Sequence, residues 1–173
     1  MTKEETINQL QSKHAEFSTH VAGFGQDKVN TAVAGKWSPA GHLRHIYQSV
    51  KPLAMAMGLP KLAIVAVAGK ANRPSVSYDE LVARYKAQVE KGAVATGKYV
   101  PPTEQFNLAE LQEKVSNIVT SLTDKISGWK EEDLDKYFLP HPLLGKITVR
   151  EMLYFTLYHV QHHDYLLKRD YEI

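Results

Sequence analysis

The sequence predicts an all-α fold, a four-helix bundle with long crossover connections and one extra short helix. Three observations carry that expectation. Apolar residues recur at alternating spacings of three and four in several long segments, and no stretch alternates convincingly with period two. Ser, Thr or Asn followed three residues later by Glu marks several helix starts. The 173 residues suit one domain, expected over 1–173, with volume for a single core.

In the first helix Ile7, Leu10, His14, Phe17 and Val21 form one stripe, and "GFG" at 23–25 ends it. The second opens in "KWSPAGH", where Ser38 is a good N-cap and Pro39 occupies the tolerant first turn. Leu43, Ile46, Val50, Leu53 and Met57 continue its inner face. Pro52 should kink or locally open it, and "GLP" at 58–60 closes it. "LAIVAVAGKANRPS" reads either as a short buried helix or as an apolar connection.

Ser77 and Glu80 then form a capping box for a helix whose inner face is Leu81, Val82, Tyr85 and Val89. "GKYVPP" at 97–102 is a loop. The next helix runs from about Asn107, with Glu110 as reciprocal cap. Its stripe of Leu108, Leu111, Val115, Ile118, Leu122, Ile126 and Trp129 is the most regular in the chain. Residues 131–147, with Pro140 and Pro142, read mostly as a long ordered loop. Thr148 and Glu151 cap a last helix reaching about Lys168. Connections of roughly 20 residues between some helices imply crossovers instead of simple up-down neighbours.

A hydrophobic fraction of 43% and a charged fraction of 23% are those of an ordinary globular protein. Net charge is +2 with Lys and Arg scattered, which leaves no strong field for nucleic acid or an anionic membrane. The longest apolar run, at 62–68, is too short to span a bilayer, and the N-terminus lacks the apolar core of a secretory signal. A cytoplasmic protein with no nucleic-acid and no membrane partner is expected. The chain has no cysteine, which removes disulfides, thiolate-held metals and cysteine nucleophiles together. Any metal must bind through His, Asp or Glu, and eight histidines are available.

Three of them fall in "YHVQHHDY", residues 158–165. On the last helix Val149, Met152, Leu153, Thr156, Val160 and Leu167 define the inward stripe. At about 100° per residue His163 lies inside it and His159 on its flank, close enough to converge on one ion. His162 and Tyr158 point nearly the other way. A divalent cation satisfies both inward imidazoles, and so would core hydrogen bonds to side chains or water. The spacing alone leaves these equal. A third ligand must come from another helix. The helical wheel mildly prefers His42, nearer the Leu43/Ile46/Val50 stripe, over His45; His14 is a further candidate. His20 reads as a surface residue, and His141 as a loop packing residue or a lid.

"KWSPAGHLRHIYQSVKPL", followed far downstream by "HPLLGKITVREMLYFTLYHVQHHDYLL", resembles the DinB/YfiT-like superfamily of metal-dependent four-helix bundles. The likeness covers nearly the whole chain, including "GKANRPSVSYDELVARY" and "FLPHPLLGKIT". By that resemblance the metal ligands are His45, eight positions after Trp37, with His159 and His163. His42 and His14 become supporting or core residues, and Gln48 and His162 are further candidates for support. Relatives often carry a carboxylate one turn after the first histidine; here Gln48 stands there, a far weaker base than Asp.

The resemblance implies a divalent transition metal (Zn, Ni or Fe) and a small-molecule substrate. It also implies small-thiol S-transferase chemistry, with a low-molecular-weight thiol as co-reactant. The alternatives are a metal-dependent hydrolase and a metal-binding or regulatory module without turnover. Bundles of this kind often pair, so a homodimer is expected.

Overall fold

The computed structural model describes residues 1–171; the final two residues of the expected 1–173 domain lie outside them. Seven α-helices and one β-hairpin are described: α1 (Lys3–Ala22), α2 (Gly25–Lys28), α3 (Pro39–Met57), α4 (Lys61–Ala68), α5 (Tyr78–Glu90), α6 (Leu108–Ser127), β1 (Phe138–His141), β2 (Gly145–Thr148) and α7 (Val149–Tyr171). The fold is the expected all-α bundle, with more short elements than one.

The bundle proper is α1, α3, α6 and α7. Helix α6 packs against α1 and α3, and α7 packs against the same two. Thus α1 stands opposite α3, and α6 opposite α7. Chain order then forces crossovers: α1 to α3 and α6 to α7 each pass between opposite members. Helix α5 lies outside this ring, against α7. The apolar stripes meet inside, with Leu10, Phe17, Leu43, Ile46, Leu122, Ile126, Leu153 and Leu157 almost fully buried. Burial of apolar surface on this scale is the main force holding such a bundle.

Local chemistry fixes the helix starts. Ser38, Ser77 and Asn107 each accept a bond from the backbone N–H three residues on. Thr2 and Glu5 add a reciprocal box at α1. Helix α3 runs through Pro52 without ending, and α4 resolves the ambiguous apolar segment as helix. No single helix among the described residues is long and apolar enough to cross a membrane.

Residues 131–147 depart from the expected loop. A 3₁₀ turn spans Glu131–Asp135, and β1 and β2 pair antiparallel with Phe138 opposite Thr148 and His141 opposite Gly145. The strands are four residues long and Pro140 interrupts one, too little for a period-two pattern to register. Gly145 takes φ 71°, the left-handed conformation that closes a three-residue hairpin loop.

The start of α7 is the most strongly bonded of these caps. The Thr148 hydroxyl accepts from the Glu151 N–H (3.1 Å) while the Glu151 carboxylate accepts from the Thr148 N–H (2.7 Å). Arg73 grips both oxygens of Glu151 (2.5 and 2.8 Å), and the Val76 N–H donates to it as well (2.7 Å). Burial would raise the Glu151 pKa, but Arg73 and the two backbone donors outweigh it and hold the carboxyl below its usual range. Glu151 therefore ties the 73–76 segment to the helix that carries the histidine pair. Replacing it with Ala leaves Arg73 and two backbone N–H groups without their acceptor and should cost about 3–5 kcal/mol in chemical denaturation. Glu80→Ala, which breaks an exposed pair with Arg84, should cost less than about 1 kcal/mol.

Candidate metal centre

Helices α3 and α7 bring His45, His159 and His163 together. Each offers one ring nitrogen, and the three nitrogens lie within 4.8 Å of one another, all on buried residues. His159 Nε2 is 3.1 Å from His45 Nε2 and 3.1 Å from His163 Nε2. Two nitrogens sharing a cation at about 2.0–2.1 Å each would sit roughly 3 Å apart, so the spacing fits.

The tautomers fit too. His45 Nδ1 lies 2.5 Å from the Tyr99 carbonyl, which can only accept, so Nδ1 carries the proton and Nε2 is bare. His163 Nδ1 is 2.9 Å from His42 Nδ1, so His42 supplies the corresponding support. With its proton on Nδ1, His163 also presents a bare Nε2. His159 Nε2 could then donate to one neighbour at most. The cluster cannot satisfy itself with its own protons, whereas a cation satisfies all three nitrogens at once. Bonds from a ligand's second nitrogen to a carbonyl or another acceptor are the usual support of a metal-binding imidazole.

Surrounding rings hold the geometry. Trp37 stacks on His163 (centroids 5.9 Å, planes 2° apart) and lies 5.0 Å from His45 and 5.5 Å from His42. Phe155 stacks on His159 at 4.8 Å. Burial lowers the pKa of His45, and lowers His159 and His163 well below the ordinary value, with mutual repulsion adding to the effect in the last two. Neutral imidazole is the form a metal requires.

The triad forms part of the wall of a cavity of about 980 Å³. Its walls are mostly apolar, with Leu53, Val89, Leu139, Met152 and Phe155 among them. Asp170 is the one acidic side chain lining it among the described residues, and Arg169 holds it at 2.6 Å. The cavity is assembled from α3, α5, the 92–99 segment, the hairpin and α7, which no single stretch of sequence could reveal.

The other candidates fall into place around this centre. His42 is buried, bonded to His163, with its Nε2 unpartnered among the described residues. Gln48 does not line the cavity; its amide donates to the Lys98 carbonyl (2.9 Å) and so steadies the turn carrying Tyr99. His162, expected to point away, is half-buried and lines the cavity, 5.5 Å from the His163 ring. His14 is buried in the α1 stripe, its Nδ1 donating to the Leu10 carbonyl (2.7 Å) and its Nε2 unpartnered among the described residues. His20 is half-buried at 2.7 Å from Asp164. His141 is buried on the cavity wall, against Phe155 at 4.2 Å.

Burial brings His14 and His141 from 6.5 to about 4. Both are neutral in the fold, while the unfolded chain protonates them below pH 6.5. The unfolded state then binds more protons, so this stability is complete above pH 6.5 and is lost as pH falls toward 4. By pH 5 the loss should be about 2 kcal/mol per ring. Denaturation of metal-free protein at pH 7.5 and pH 5 measures it, and His14→Leu should remove that residue's share. An unchanged midpoint between the two pH values would contradict these burial states.

The family model described as the DinB superfamily matches residues 9–167. No curated protein and no solved structure matches the chain.

Proposed function

Since the chain belongs to the DinB superfamily, we propose that it is a metal-dependent enzyme. His45, His159 and His163 hold one divalent transition metal, and the substrate occupies the adjoining cavity. The observation that carries this reading is the convergence of three bare or neutral imidazole nitrogens on the wall of an apolar cavity of about 980 Å³. A site serving only to bind a metal structurally would need a fourth protein ligand and no such space. When bound, the cation supplies Lewis acidity, favouring the thiolate of a small thiol or polarising a carbonyl.

S-transfer is favoured over hydrolysis by what the cavity lacks. Activation of water is helped by a carboxylate base, and Gln48 stands at the family's carboxylate position and is turned to the Lys98 backbone. Asp170 is engaged by Arg169. A thiol brings its own nucleophile. Its sulfur would form the carbon–sulfur bond as the leaving group departs with its electron pair. His162 lines the cavity with no hydrogen-bond partner among the described residues and would accept the thiol proton. Apolar walls exclude water and seat the electrophile, and Trp37 and Phe155 keep the imidazoles from turning.

Protein purified without a nickel column and reconstituted should bind about one equivalent of divalent metal by elemental analysis. His163→Ala should lose it with the helical circular dichroism signal intact. His42→Ala should retain the metal but weaken its affinity about 10- to 100-fold, as loss of a ligand's supporting partner does. Stoichiometric metal in His163→Ala, or less than a tenth of an equivalent in the wild type, would sink the ligand assignment.

A further inference from the structure

The end of strand β1 places a second, metal-free functional group on the cavity wall. The ring of His141 has an unusual pair of partners: its Nδ1 accepts from the N–H groups of both Leu143 and Leu144, each at 3.1 Å. A nitrogen accepting two backbone donors cannot itself carry a proton. The proton therefore resides on Nε2, at the far edge of the ring, and the ring is neutral. Nε2 has no bond to a described residue and is not sealed from solvent, on a ring that lines the cavity.

The site is close to the metal triad. Phe155 lies between the two, 4.2 Å from the His141 ring and 4.8 Å from that of His159. Beside it stands Tyr85, 5.2 Å from Phe155 and 6.2 Å from His159, whose hydroxyl also has no partner among the described residues. Burial pushes that phenol up to about 12, so it stays an O–H donor. One wall of the cavity thus offers neutral donors, while the rest of the lining is mostly apolar, with Lys36, Lys98 and Arg169 as its cations.

We propose that His141 Nε2–H is a substrate-binding donor that receives an acceptor oxygen of a metal-anchored substrate, and that the cavity selects apolar molecules bearing a carbonyl or carboxylate. Tyr85 contributes a second donor on the same wall. A neutral imidazole used in this way polarises an oxygen without exchanging a proton with it. The proposal rests on the metal reading above, because the triad fixes the other end of the substrate.

Two variants separate the ring's roles. Asn at 141 can place its carbonyl where Nδ1 sits and keep the turn, but has no donor at Nε2 reach. Gln at 141 does the reverse. The wild type and both variants are loaded with cobalt(II), and benzoate and azide are titrated against the visible absorption of the cobalt. Benzoate has a carboxylate on an apolar ring; azide reaches the metal alone. His141→Asn should keep the cobalt spectrum and azide affinity within about twofold and lose about tenfold in benzoate affinity, the effect of one hydrogen bond to a charged oxygen. His141→Gln should keep benzoate affinity within about threefold.

Equal benzoate affinity in wild type and His141→Asn, or equal losses in both variants, would overturn the donor assignment while leaving the metal centre standing. Benzoate that leaves the wild-type cobalt spectrum unchanged would do the same. A wild type that takes up no cobalt would overturn the metal reading and this proposal with it.

Discussion

Imidazole nitrogens buried at close quarters constrain everything else in this structure. Three Nε2 atoms meet in a helix core, and the outward nitrogens of two of the rings are already engaged. Their own protons cannot satisfy all the inward contacts, and an unsatisfied buried polar group costs about 1–3 kcal/mol. An apolar core of the same volume would be easier to build. The cluster makes physical sense as the first coordination sphere of a cation, and the bundle is the frame that keeps the rings in register.

That frame explains features remote from the centre. Helix α7 carries two of the three imidazoles, and its first turn is anchored through Glu151 to Arg73 and the Val76 backbone. The third imidazole depends on the 3₁₀ turn Gly97–Tyr99, whose Tyr99 carbonyl sets the His45 tautomer and which Gln48 secures through Lys98. Gln48 therefore has a physical task that a carboxylate could not perform, since it donates a hydrogen bond to a carbonyl. The crossover topology matters as well. With α5 outside the ring of four, the space between α5, the hairpin and α7 opens as a cavity instead of closing as core.

Much of the fold was legible because helices announce themselves locally. The stripes through Leu10, Leu43, Leu122 and Leu153 and the caps at Ser38, Ser77, Asn107 and Thr148 all lie within a few residues of what they specify. The hairpin was not legible, because its register depends on one left-handed glycine and two four-residue strands. Within the site, the i, i+4 spacing of His159 and His163 was readable from the wheel. The choice of His45 over His42 was not. Around its first turns α3 is buried on nearly every side, by Trp37, α7 and the 96–101 segment, so a stripe no longer separates inward from outward. The resemblance in "KWSPAGHLRH" pointed to the ring that meets the pair. The cavity, the tautomer of His141 and the inward position of His162 depend on contacts between distant segments, and no local pattern encodes them.

X-ray absorption on the zinc-loaded protein examines the centre itself, without reference to turnover. Three imidazole nitrogens at about 2.0–2.1 Å are expected, with at least one further light-atom position supplied from outside the chain. A shell of two or fewer imidazoles, or one completed by a protein carboxylate, would contradict a three-histidine centre.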